Sequence, residues 1–183
     1  QCPTNLGTGM RASVMLHLPA LEKSRTIGRI AGNLSKLGLT IRGAYGEGSE
    51  PSGSLYQLSN QVTLGISEKA AIENLENITK QLVSQEQQAR ERLAKSIDIQ
   101  DSVSRSLGLL KSAMVMTHDE ALKLLSNVRF GILSGQIKDV TAEVVDSLME
   151  KIEPATLMVN SGKNLSAQER DIERAKILRE ALS

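Results

Sequence analysis

From about Glu68 to Ser96 the apolar residues Ile72, Leu75, Ile78, Leu82, Ala89 and Leu93 recur at spacings of three, four and seven. That period belongs to one face of an α-helix. Ser67 stands ahead of the stripe as an N-cap, where its hydroxyl can accept an orphan backbone N–H. This long helix follows a segment that alternates between strand and helix patterns. Everything after it reads as helix.

Before the long helix, Arg11–Leu18 alternates with period two. Ala12, Val14, Leu16 and Leu18 fall on one face of a strand; Arg11, Ser13, Met15 and His17 fall on the other. Pro19 can open a helix because its missing N–H costs little there. Leu21, Ile27, Ile30, Leu34 and Leu37 carry that helix forward, and Gly38 stops it. Leu39–Arg42 is a second strand and Ser54–Asn60 a third, predicted to pair antiparallel across the loop 43–53. That loop holds four glycines and a proline, the residues that punctuate turns.

Asp98–Asp101 interrupts the long stripe and sets a boundary between residues 1–97 and 98–183. Beyond it, Val103, Leu107, Leu110 and Met114 mark one helix. Thr117 with Glu120 forms a capping box for the next, which runs to Ser134 and stops at Gly135. Thr141–Ile152 is a further helix, ended by Pro154, and residues 160–164 are a loop. Ser166 with Glu169 is a second capping box, opening a last helix to the C-terminus. The fold class is α+β: an antiparallel sheet with helices, then an all-helical domain.

Composition narrows the function. Hydrophobic residues make up 40% of the chain and aromatics 2%, so the core is aliphatic. A net charge of +1 gives no argument for a nucleic-acid surface. One cysteine cannot close an internal disulfide, which fits a reducing cytoplasm. No apolar run approaches the roughly 20 residues of a membrane span. The two histidines and the cysteine lack metal-ligand spacing, which argues against a zinc site.

The residues that can carry chemistry lie in three stretches. The first, Cys2-Pro3-Thr4-Asn5-Leu6-Gly7-Thr8-Gly9-Met10-Arg11-Ala12-Ser13-Val14, joins a thiol, a Gly-rich turn and an arginine entering a strand. Thiolates do nucleophilic or electrostatic work, glycines admit a phosphate to the backbone, and arginine is a forked phosphate clamp. The second, Arg42-Gly43-Ala44-Tyr45-Gly46-Glu47, adds an arginine at a strand end and a loop carboxylate. The third, Arg170-Asp171-Ile172-Glu173-Arg174-Ala175, stacks two arginines one turn apart on a helix, with an acid beside them. By pattern alone a salt-bridged solvated face, with Arg170 and Arg174 exposed, is the favoured reading of this last cluster. His118 reads as an exposed first-turn residue.

The first two stretches resemble the nucleotide and guanidino site of the ATP:guanidino phosphotransferases, which include arginine and creatine kinases. The resemblance implies that Arg11 and Arg42 bind ATP phosphates, with Ser13 and His17 beside the nucleotide. A packed or solvent-facing His17 is the alternative. It implies that Glu47 orients an acceptor guanidinium and takes its proton, and that Cys2 contacts that guanidinium as a thiolate. The third stretch, Arg-Asp-x-x-Arg-Ala, resembles the phosphoarginine-binding motif of bacterial protein arginine kinases (McsB type). This implies a C-terminal part of a guanidino-kinase catalytic domain followed by a helical dimerisation and phosphoarginine-binding domain. The chain begins Gln1-Cys2, so the resemblance also implies a C-terminal fragment.

The expected activity is transfer of the ATP γ-phosphoryl group, with Mg2+, to arginine side chains of proteins, marking them for the Clp protease. A McsA-type activator and a homodimer are the implied partners. Two other readings stand beside it. One is a kinase of a small guanidino compound; the other is a non-catalytic phosphoarginine-binding dimerisation module.

Overall fold

The computed structural model describes residues 6–44 and 51–183. The chain divides into two compact units, Gln1–Arg90 and Glu91–Ser183.

The first unit is built on a three-stranded sheet. Strands β1 (Ser13–His17), β2 (Leu39–Gly43) and β3 (Leu55–Asn60) lie in the order β1-β3-β2, and both pairings are antiparallel. The period-two alternation of β1 is realised in space: Leu16 and Leu18 are buried while Ser13 and Met15 are exposed. Leu58 of β3 and Leu39 of β2 are fully buried on the same side as Leu16. That face is the core, and the long helix α3 (Glu68–Leu93) contributes buried Ala71, Leu75, Leu82 and Ala89 to this unit.

The helix expected after Pro19 is two helices, α1 (Pro19–Lys23) and α2 (Ile27–Lys36). Hydroxyl chemistry explains the break. Ser24 Oγ donates to the Ala20 carbonyl at 2.7 Å and Thr26 Oγ1 to the Leu21 carbonyl at 3.0 Å. These groups satisfy the last carbonyls of α1 and so favour stopping over propagation. Arg25 between them takes a left-handed backbone, φ 55°. After α2 the chain turns through Gly38 at φ 71° into β2.

The second unit holds α4 (Ile97–Ser112), α5 (His118–Leu133), α6 (Ala142–Lys151), α7 (Pro154–Ser161) and α8 (Ala167–Leu182). Leu110, Leu122, Leu125, Val145, Leu148 and Leu178 meet in its core, and Phe130 of α5 is fully buried. Two expectations need correction. The helical run breaks at residues 94–96, just ahead of Asp98–Asp101, which forms the first turns of α4, where acids favour the positive helix N-terminus. Pro154 does more than end α6. It sits at the first position of α7, a helix that Gly162 closes with φ 63°. The second capping box is complete: Ser166 Oγ accepts from the Glu169 N–H, and the Glu169 carboxylate accepts from the Ser166 N–H at 2.8 Å.

Candidate functional site

Antiparallel pairing fixes which side chains share a face, because cross-strand partners point the same way. Ser13, Ser59 and Thr40 form one row across the sheet; Met15, Gln57 and Arg42 form the next; His17 pairs with Leu55. Ser13, His17 and Arg42 therefore lie on one face, opposite the Leu16–Leu58 core. Arg11 joins them from just ahead of β1, its Nη2 donating to Ser59 Oγ at 3.5 Å. Gln57 Nε2 donates to Ser13 Oγ at 3.2 Å, tying β1 to β3 on that face.

The Gly-rich entry to β1 is pinned by a residue the sequence reading did not single out. Asn60, buried at the end of β3, accepts the Ala12 N–H on Oδ1 at 2.7 Å. Its Nδ2 donates to the Met10 carbonyl at 3.0 Å and the Val62 carbonyl at 3.2 Å. Next to it the Thr8 N–H donates to the Thr63 carbonyl at 2.9 Å. Gly7 is required there: it sits at φ 73°, and a Cβ would lie 2.0 Å from the Thr63 carbonyl oxygen. A terminal strand Asn carries no helix or strand periodicity, so only its amide chemistry hints at this clamp.

Cys2 and Glu47 lie outside the described residues. What the described face offers is two guanidinium groups and three hydroxyls, those of Ser13 and Thr40 accessible and that of Ser59 buried between them. This set suits a polyanion such as a triphosphate, since arginine binds phosphate oxygens in bidentate fashion. Among the described residues no group of three or more His, Cys, Asp or Glu could hold a metal ion. No described helix is long and apolar enough to cross a membrane.

The Arg170–Arg174 cluster sits in the first half of α8 and departs from expectation. Arg174 is not exposed: it is 1% accessible. Its Nε donates to the Ile152 carbonyl at 3.1 Å, and its Nη1 to the Met116 carbonyl at 2.9 Å and to Asp171 Oδ1 at 2.5 Å. The reason is topological. The end of α6 and the entry to α5 both present backbone carbonyls to this turn of α8, and a buried guanidinium serves both. Asp171 is partly exposed, and its own carbonyl accepts the Met116 N–H at 3.1 Å. Arg170 is half-buried and donates to the Leu165 carbonyl at 2.8 Å. His118 also differs from its expected exposure: its side chain is 20% accessible, with Nε2 3.4 Å from Glu153 Oε1, because the α6–α7 corner folds against the start of α5.

Comparison with known proteins is consistent across the chain. Residues 1–89 match the family model for the ATP:guanido phosphotransferase C-terminal catalytic domain, and residues 96–183 match that for the protein-arginine kinase McsB C-terminal domain. A protein-arginine kinase of Halothermothrix orenii is 52% identical over all of this chain and 53% of its own length. Proteins of the same name from Clostridium novyi and a Geobacillus species are each 48% identical over 99% of the chain, covering 53% and 51% of their lengths. The chain spans about half the length of these curated relatives.

Proposed function

The chain belongs to the ATP:guanido phosphotransferase family, and from that premise we propose that it is part of a protein-arginine kinase. The observation that carries the reading is the shared sheet face of Arg11, Ser13, His17 and Arg42. In this proposal ATP lies over that face, with Arg11 and Arg42 on its phosphate oxygens. An acceptor arginine nitrogen attacks the γ-phosphorus, the bond from phosphorus to the β–γ bridging oxygen breaks, and ADP leaves. Glu47 holds the acceptor guanidinium and takes the proton released as the N–P bond forms. Cys2, as a thiolate, adds a second negative contact to that guanidinium. Most of the catalysis is positioning and charge neutralisation, which arginines do without moving protons. Mg2+ enters as the counter-ion of the triphosphate.

In the second unit we propose that Arg170 and Asp171 meet a phosphoarginine, the first on the phosphate and the second on the guanidinium. Arg174 completes the set as the brace that orients Asp171 through their 2.5 Å ion pair. Clp-protease recognition of the products, a McsA-type activator, a homodimer and a cytoplasmic setting belong to the same proposal. The Arg-Asp-x-x-Arg cluster favours a protein substrate over a small guanidino compound.

The test is nucleotide affinity in a chain of the relatives' full length. Arg42→Ala should weaken ATP binding by about tenfold or more, the loss of one charge-assisted phosphate contact. Unchanged ATP affinity in a folded Arg42→Ala protein would remove the sheet face from the nucleotide site.

A further inference from the structure

Glu86 sits on α3 within the polar run Ser84-Gln85-Glu86-Gln87-Gln88, where a solvated glutamate would be expected. It is instead 4% accessible. Each carboxylate oxygen is committed: Oε1 accepts the Ala20 N–H and Oε2 the Leu21 N–H, both at 2.9 Å. Those two amides open α1. No side chain of α1's own N-terminal boundary caps it, since Leu18 stands at the N-cap position. A residue far along the chain therefore supplies what Ser, Thr or Asp would supply locally.

Burying a carboxylate is costly, and a local hydroxyl cap would avoid that cost. The distant carboxylate gains something else, namely a fixed distance between α3 and the end of β1. His17 is the last residue of β1, and α1 begins two residues later. With five residues, α1 cannot hold its own geometry. It is held from outside on two sides. Glu86 grips its first turn, and Tyr56 of β3 donates its hydroxyl to Glu22 Oε2 at 2.9 Å. The Leu18 N–H donates to the Ser54 carbonyl at 3.0 Å, closing the β1 end onto the start of β3.

We propose that Glu86 is a positioning residue for the nucleotide face: by gripping the first turn of α1 it sets the end of β1 and so the placement of His17 and Ser13. This rests on the nucleotide reading given above. Burial holds the Glu86 carboxyl above its ordinary value, against the two amides and Arg90, which lower it; Glu22 adds to the rise. Tyr56, whose hydroxyl is raised chiefly by burial, stays a donor to Glu22.

The experiment uses Glu86→Gln in a chain of the relatives' full length. An amide offers one acceptor oxygen and turns its NH2 toward the second backbone donor, so one grip is lost and the other opposed. The KM for ATP should rise severalfold, up to about tenfold if the whole of the lost internal bond is passed on to the nucleotide face, with kcat and the acceptor KM within about twofold. Glu86→Asp, which keeps both acceptors on a shorter arm, should recover part of the ATP KM. A variant with unchanged ATP KM overturns the proposal, as does one in which kcat falls while the ATP KM holds. Should Glu86→Gln fail to fold, the wild-type protein decides. Saturating ATP should shift the Ala20 and Leu21 amide resonances along with His17, and their indifference to ATP overturns the proposal. Wild-type ATP binding is measured first: its absence defeats the nucleotide reading itself, whereas binding with an unaffected Glu86→Gln defeats only the positioning role.

Discussion

Replacing Arg174 with alanine should unfold the second unit far more readily than a surface arginine substitution would. Arg174 is 1% accessible and donates to the Ile152 and Met116 carbonyls and to Asp171. Its loss strands two buried carbonyls, each bond to a charged donor being worth about 1.5–3 kcal/mol. Asp171 is 26% accessible, so water recovers part of its lost partner and the carbonyls dominate. Removing one member of such a buried set costs about 3–5 kcal/mol. We expect about 4 kcal/mol for Arg174→Ala, equivalent to roughly 15 °C or more of Tm for a unit of this size. Arg174→Lys should not rescue it, because a single ammonium cannot fork to both carbonyls. Arg170→Ala loses one bond, to the Leu165 carbonyl, and should cost about 1 kcal/mol. Urea denaturation followed by far-UV circular dichroism measures all three. A loss below about 1 kcal/mol for Arg174→Ala, well under the value of even one such bond, would refute the reasoning.

Two further outcomes follow from the geometry. Gly7→Ala puts a Cβ 2.0 Å from the Thr63 carbonyl on a left-handed backbone, so it should displace the Gly-rich entry and raise the KM for ATP; steady-state kinetics at varied ATP checks this. The Glu169 carboxyl is held below its ordinary value of 4.5 by the Ser166 side chain, then by the Ser166 backbone. A carboxyl lowered in the folded state adds stability above its unfolded pKa and loses it as pH falls through the folded pKa. Acid unfolding below about pH 4.5 should therefore be shallower in Glu169→Gln than in wild type; identical pH slopes would contradict the capping role.

The strands were legible because one buried face leaves a strict alternation, as in Ala12 through Leu18. The alternation also put Arg11, Ser13 and His17 together. It could not add Arg42, whose place depends on the register of β2 against β3, a non-local quantity. Helices with both an apolar stripe and a cap were legible, α3 with its Ser67 cap above all. The α1–α2 break was not, because the Ser24 and Thr26 hydroxyls compete with helix through bonds that no periodicity records. Polar residues were hardest. Glu86 and Arg174 lie in charged, amide-rich runs that read as solvated, yet both are buried to satisfy backbone groups distant in sequence. Nothing in local spacing distinguishes a charge that faces water from one that faces an unpaired carbonyl.

The central proposal is that this chain is part of an enzyme that phosphorylates arginine. The direct measurement is transfer of label from radiolabelled ATP to a denatured acceptor protein, using a chain of the relatives' full length. Mass spectrometry of the product at neutral pH then locates the phosphate. The account predicts acid-labile phosphate on arginine nitrogen, and a strong loss of transfer in Glu47→Gln with ATP binding largely kept. Phosphate on serine, threonine or tyrosine, or undiminished transfer in Glu47→Gln, would contradict it.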